Sequence, residues 1–231
     1  MKTLIALTAL LLTACSSLYD YQPQSYVVQS GDTLYSIAWR LGVDARNLAA
    51  WNGLTNPDRI YVGQRLALSG AGRPAGGRPP ARPAAGNASA SPAAPAAAAA
   101  RPAVAVARPV WQWPVQGTVV ARFGARGQLA TGISIAGELG QDIQAAATGR
   151  VVYSGSGLPA YGQLVIIAHN ETWLSAYGHN QRVLVTQDQE VSRGQKIAEM
   201  GPGPGGGPVL HFEIRQNGDP LDPLSVLPGS N

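Results

Sequence analysis

The stretch from Gly70 to Pro109 limits the architecture of this 231-residue chain more than any other feature. It is built from Ala, Pro, Gly and Arg, holds no Asp or Glu, and carries almost no large apolar side chain. Such a segment cannot bury enough surface to offset the entropy lost on ordering, so disorder is expected. Ala96 to Ala100 is a helix-prone run, but so short a run does not sustain a helix. As an extended, polyproline-like linker, residues 70–109 would span on the order of 100 Å. The expectation is that the two ends it joins work independently. One continuous domain is excluded, and an aromatic content of only 6% agrees with two small cores rather than a single large one.

The position of the charges decides what the formal net charge of +4 means. Of 17 basic residues, Lys2 lies near the N-terminus and Arg73, Arg78, Arg82, Arg101 and Arg108 lie in the acid-free stretch, which leaves 11 basic residues against 13 acidic ones. The parts expected to fold are mildly acidic, which argues against a nucleic-acid partner. The only cysteine, Cys15, allows no intramolecular disulfide. Before it, residues 1–14 give one positive charge, an apolar run from Leu4 to Leu12 and then small residues, the pattern of a cleavable export signal. That run is too short to span a bilayer. Leu12-Thr13-Ala14-Cys15 resembles a bacterial lipobox, which implies cleavage before Cys15 and its acylation; a plain signal peptide is the alternative. More than one acyl chain makes a stable membrane anchor. Ser16, rather than aspartate, follows the cysteine, which by the same resemblance favours the outer membrane. Residues 15–25 then read as a tether.

Residues 26–69 have the order strand, helix, helix, strand. Tyr26-Val27-Val28 reads as a strand, and Asp32 or Thr33 can cap a helix with Leu34, Ile37, Ala38 and Leu41 on one face. Gly42 stops that helix, Asp44 can cap a second with Leu48 and Trp51, Gly53 stops it, and Arg65 to Leu68 returns as a strand. The run Tyr26 to Leu34, with Ile37-Ala38, Asn52-Gly53 and Ile60 to Leu66, resembles the LysM family. The resemblance implies a small α+β (βααβ) module that binds the N-acetylglucosamine-containing glycan of peptidoglycan in a shallow groove between two loops. It places Gly31, Asp32, Thr33, Leu34, Asn56, Pro57 and Ile60 at or near that groove. The structural alternative for the same residues is turn, cap and core.

From Val110 to Asn231 short apolar runs are broken by Gly and Pro: Thr118 to Phe123, Gly132 to Ala136, Arg150 to Ser154, Gln163 to His169, Thr172 to His179, Gln195 to Met200 and Val209 to Arg215. Val209, His211, Glu213 and Arg215 alternate with Leu210, Phe212 and Ile214, as a strand with one polar face would. No segment carries a helical period of useful length, so residues 110–231 are expected to form an antiparallel all-β domain. Trp113 to Gly117, Arg122-Phe123-Gly124, Thr131 to Ala136, Tyr177-Gly178-His179 and Leu210 to Arg215 resemble the LytM, or lysostaphin-type, zinc endopeptidases, whose fold is a duplicated hybrid motif.

Active members of that family hold zinc with H-x-G-x-D and the second histidine of H-x-H. In this chain the corresponding positions are Ala130, Ser134 and His211, and the assisting histidines correspond to His179 and Val209. A catalytic zinc site needs about three protein ligands plus a water. Methyl and isopropyl groups have no lone pair, and a neutral serine hydroxyl is a poor ligand. No metal, cofactor or catalytic residue is therefore expected, and the domain reads as a degenerate peptidase. His169 reads as structural. Cys15 is committed elsewhere, and no serine sits in the strained turn of a serine hydrolase.

A LysM module and a degenerate LytM domain on a lipoprotein are together similar to the murein hydrolase activators. That resemblance implies a partner, a periplasmic N-acetylmuramoyl-L-alanine amidase, engaged through a groove formed by Ala130, Ser134, Tyr177, His179, Val209 and His211. The alternatives are a zinc endopeptidase cutting peptidoglycan crosslinks, or a passive tether between wall and membrane.

Overall fold

A computed structural model of the chain describes residues 24–70, 107–126 and 129–229. Cys15, the expected signal 1–14 and most of the expected tether and linker lie outside these residues. No described helix is long and apolar enough to cross a membrane.

The first module consists of β1 (Ser25–Val27), α1 (Leu34–Leu41), α2 (Ala45–Trp51) and β2 (Arg65–Ala67), with β1 antiparallel to β2. Of the two candidate caps for α1, Thr33 serves: its side chain accepts from the Ser36 N–H at 3.0 Å, and Ser36 Oγ accepts from the Thr33 N–H at 3.0 Å. Asp32 instead holds the preceding turn, accepting from Tyr26 Oη at 2.7 Å and the Gln29 N–H at 2.8 Å. Gly42 ends α1 at φ 66°, a left-handed conformation glycine adopts without steric cost. Asp44 caps α2, and Asn52 ties its end to β2 by hydrogen bonds to both Ala67 backbone groups. Leu34, Ile37, Ala38, Leu48 and Leu66 form the core.

The second module is antiparallel throughout: β3 (Thr118–Ala121), β4 (Ile133–Ala136), β5 (Asp142–Gln144), β6 (Gly149–Gly155), β7 (Gln163–Ala168), β8 (Trp173–Val183), β9 (Glu190–Val191), β10 (Lys196–Met200), β11 (Val209–Gln216) and β12 (Asp219–Leu221). The main sheet runs β3-β4-β11-β8-β7-β6-β9, with β10 joining β5 and β8, and β12 joining β11. Each apolar run of the sequence overlaps a strand. Three short strands, β5, β9 and β12, were not expected: two or three residues carry no readable alternation, and β12 contains Pro220, as only an edge strand tolerates. Ile133, Ile135, Tyr177, Leu210, Phe212 and Ile214 fill the core on one face of the sheet.

His169 closes the β7–β8 hairpin region against that core. Its Nδ1 lies 2.9 Å from the Thr148 carbonyl and its Nε2 2.7 Å from Ser175 Oγ, and its ring meets Trp111 edge-on at 4.8 Å. Burial pushes its pKa down to about 4, partly opposed by the Thr148 hydrogen bond. The unfolded histidine, near 6.5, takes up a proton first as the pH falls. The neutral folded ring therefore contributes stability that is present above about pH 6.5 and is lost between there and pH 4, on the order of 3 kcal/mol in all. Urea unfolding at pH 7.5 and pH 4 should show this loss in the wild type and a loss smaller by about that amount in His169→Gln. Equal losses in the two proteins would exclude the assignment.

The two modules do not stand apart. Trp39, on α1 but away from its core face, is 3% exposed and packs among Val152, Tyr153, Leu158, Leu164, Ile166 and Ala176 on the outer face of the main sheet. The Arg215 guanidinium sits 3.8 Å from the centre of the Trp39 ring and donates to the Trp39 carbonyl at 3.0 Å, while Trp39 Nε1 donates to Tyr161 Oη at 3.3 Å. Arg150 pairs with Asp58 at 3.3 Å and Arg46 donates to Asn217 Oδ1 at 2.8 Å. At Gly218 a Cβ would lie 2.5 Å from the Asp44 nitrogen, so a side chain there would collide with the first module. The expected independence of the two ends is thus corrected. A large aromatic ring has to be covered, and the sheet face that covers it brings a cation to the ring.

Candidate functional site

Three neighbouring strands bring the site together. In the register of β4, β11 and β8, Ser134 lies opposite His211 and His211 opposite Gly178, while Val209 lies opposite Ala136. At Gly132 a Cβ would lie 2.4 Å from the Phe212 carbonyl oxygen and 3.0 Å from His211 Cε1, so the absent side chain lets the 130–134 segment press against β11. His179 follows Gly178 with φ 62°, a costly conformation for a residue with a Cβ, held by its N–H to the Tyr161 carbonyl at 2.7 Å and its carbonyl to the Gly201 N–H at 2.8 Å. The His179 and His211 ring centres are 6.2 Å apart.

Ser134, His179 and Val209 open on a groove of about 350 Å³, walled further by Ala121, Ala125, Leu129, Ala160, Pro204 and the one cationic side chain, Arg126. His211 is only 1% exposed and lies beneath this surface. Ala130 is half-buried on the same segment as Leu129, its carbonyl accepting from the Gly124 N–H at 2.7 Å. Tyr177 does not belong to the groove. It is wholly buried on the opposite face of the sheet, where its hydroxyl accepts from the Ala146 N–H at 2.8 Å and its ring packs on Phe212. Alternate strand residues share a face, so in a regular strand Tyr177 and His179 would lie together; the left-handed backbone at His179 breaks that alternation and turns its side chain to the groove, while Tyr177 stays on the core face.

Beneath the groove lies a charged network the sequence reading did not assign. Glu213 is fully buried, and its Oε1 accepts from Thr131 Oγ1 at 2.6 Å, Tyr161 Oη at 2.7 Å and His211 Nε2 at 3.0 Å. Its Oε2 accepts from Arg215 Nη2 at 3.1 Å and Nε at 3.3 Å. Burial alone would raise the carboxyl pKa, but the His211 hydrogen bond and the Arg215 charge hold it down to about 2. Burial and the Glu213 charge push the Tyr161 hydroxyl up to about 12, and burial together with His211 lowers the His179 pKa. The signal was present in the sequence: Glu213 and Arg215 alternate with His211 on one strand face.

The donor set does not fit a zinc ion. His211 Nδ1 is buried and has no hydrogen-bond partner, so it is one available donor. Ala130 has none, and Ser134 offers a neutral hydroxyl. Among the described residues no three His, Cys, Asp or Glu side chains are grouped to hold a metal.

In the first module, Gly31 and Asn56 are exposed, while Asp32, Pro57 and Ile60 are partly covered. Leu34 is 0% exposed and its side chain belongs to the core, and the Thr33 side chain is committed to capping, so neither side chain is offered to a glycan. The loop that starts α1 turns Leu34 inward to pack with Ile37, Leu48 and Leu66.

Residues 26–69 match the LysM domain, and residues 128–223 match Peptidase family M23. The chain is 48% identical over 227 residues to the "Lipoprotein NlpD/LppB homolog" of Pseudomonas aeruginosa, covering 88% of this chain and 76% of that protein. It is 37% identical to the "Murein hydrolase activator NlpD" of Escherichia coli, covering 90% and 69%, and 34% identical to the "Outer membrane antigenic lipoprotein B" of Haemophilus influenzae, covering 90% and 65%. With both modules matched in the order in which the chain folds them, and with this identity over most of each sequence, the chain belongs to the NlpD/LppB family of lipoproteins.

Proposed function

We propose that this chain is a peptidoglycan-bound regulator that activates a periplasmic N-acetylmuramoyl-L-alanine amidase for septal wall splitting, and that its M23 domain is catalytically degenerate. The observation that carries this reading is the groove itself. Ser134 and Val209 stand where an active relative would need an acid and a histidine, yet the surface around them remains open and largely apolar. A concave apolar surface with few polar groups suits a segment of another protein, such as an amphipathic helix. Activation then requires that the groove bind the open amidase more tightly than the closed one. The chain would be exported by residues 1–14, anchored in the outer membrane through acylated Cys15, and held to glycan strands by the module at 26–69, with 70–109 as linker to the domain at 110–231.

Val209→Arg places a charge on the groove wall, where a docked apolar segment would have to bury it. Affinity for the amidase, measured by biolayer interferometry, should fall at least about tenfold, or about 1.4 kcal/mol, with an unchanged melting temperature. Unchanged affinity would remove the groove from the account.

A further inference from the structure

The edge of the LysM module expected to take glycan is also the edge by which that module sits on the M23 domain. Asp58, in the loop that follows Asn56 and Pro57, pairs with Arg150 of β6 at 3.3 Å. Arg40 clamps Asp32 at 3.2 Å and Tyr26 at 2.6 Å and reaches on to the Gly157 carbonyl at 3.4 Å. Tyr35, next after Leu34, packs at once on the core of its own module and on the outer face of the main sheet. Pro57 and Tyr35 line a cleft of about 320 Å³ whose far wall is Glu171, Thr172 and Leu174. That volume lies at the low end of small-molecule pockets. A polysaccharide strand, which must enter and leave its site, needs the wall removed. Gly31 and Asn56, at the rim, stay open to solvent, so a strand can begin to engage before the covered edge parts.

We infer that a glycan strand and the M23 domain compete for this edge, so that binding the wall releases the M23 domain from the LysM module. The inference rests on the LysM module binding glycan. It ties wall binding to the groove, because the segment touched by Arg40 continues through Ala160, a groove wall, to Tyr161, a Glu213 ligand. If the docked form is populated about nine to one, undocking raises the apparent glycan affinity about tenfold.

Arg150→Glu leaves the LysM module untouched and sets a negative charge against Asp58. In the full mature chain, this variant should bind a soluble N-acetylglucosamine tetramer about tenfold more tightly than the wild type by calorimetry. In the wild type, adding the tetramer should speed amide exchange across Tyr153–Ile166, a measurement that needs no variant. Affinity that is equal or weaker in Arg150→Glu, or exchange that slows or stays unchanged on adding sugar, would overturn competition. Failure of both forms to bind either the tetramer or intact sacculi would overturn the glycan reading itself, and competition with it. The two failures are distinct, since loss of competition alone leaves both forms binding.

Discussion

Replacing Arg215 with alanine should destabilise the chain by about 3–5 kcal/mol, the cost of leaving a buried carboxylate without its cation. Glu213 has no solvent exposure, and Arg215 supplies two of its five hydrogen bonds and the compensating charge. The same guanidinium lies against the Trp39 ring and holds the Trp39 carbonyl, so the substitution also loosens the contact between modules. Guanidinium unfolding should show the loss, and exchange at α1 should rise with it. The double variant Arg215→Met/Glu213→Leu should recover only part of the stability, because removing both charges abolishes the desolvation cost that the single change exposes but leaves Thr131, Tyr161 and His211 without their shared acceptor. A loss below about 1 kcal/mol in Arg215→Ala would mean that the Thr131, Tyr161 and His211 donors satisfy Glu213 unaided.

The second large effect is a gain. Ala130→His with Ser134→Asp should confer zinc binding tighter than the wild type by about a thousandfold or more, about 4 kcal/mol, because it adds two ligands beside the unpartnered His211 Nδ1. The geometry favours this: Ser134 is the cross-strand partner of His211, and Gly132 lets the 130–134 segment approach it closely. Even then Val209 leaves the site without the second assisting histidine, so metal binding should return ahead of hydrolysis. Zinc content after dialysis, by mass spectrometry, is the readout. If the wild type held one zinc per chain under the same conditions, the degenerate reading would be wrong at its root.

The order of the longer elements in both modules was legible because it rests on local signals: capping residues at Thr33 and Asp44, a stop at Gly42, and alternation along Val209 to Arg215. The position of Ser134 beside His211 was legible through spacing within the family pattern, and the structure then gave it a register. Tyr177 was misplaced because the left-handed backbone at His179 breaks the alternation that would put the two side chains on one face, and no local residue pattern announces that break. Thr131 and Tyr161 reach Glu213 from 82 and 52 residues away in the chain, and Trp39 reaches Tyr161 from 122, so no local pattern announces these contacts. Still, a tryptophan off the apolar face of α1 and an acid and a base beside a buried histidine were visible as residues in need of partners.

This fold is expected to act by docking to a hydrolase rather than by cutting the wall. Dye release from labelled sacculi, measured with this protein alone, a periplasmic amidase alone and the two together, distinguishes docking from cutting. Release by the protein alone, with or without added zinc, should stay at background, and release by the pair should be well above that of the amidase. Release by the protein alone, or a pair no more active than the amidase, would contradict docking as the mode of action.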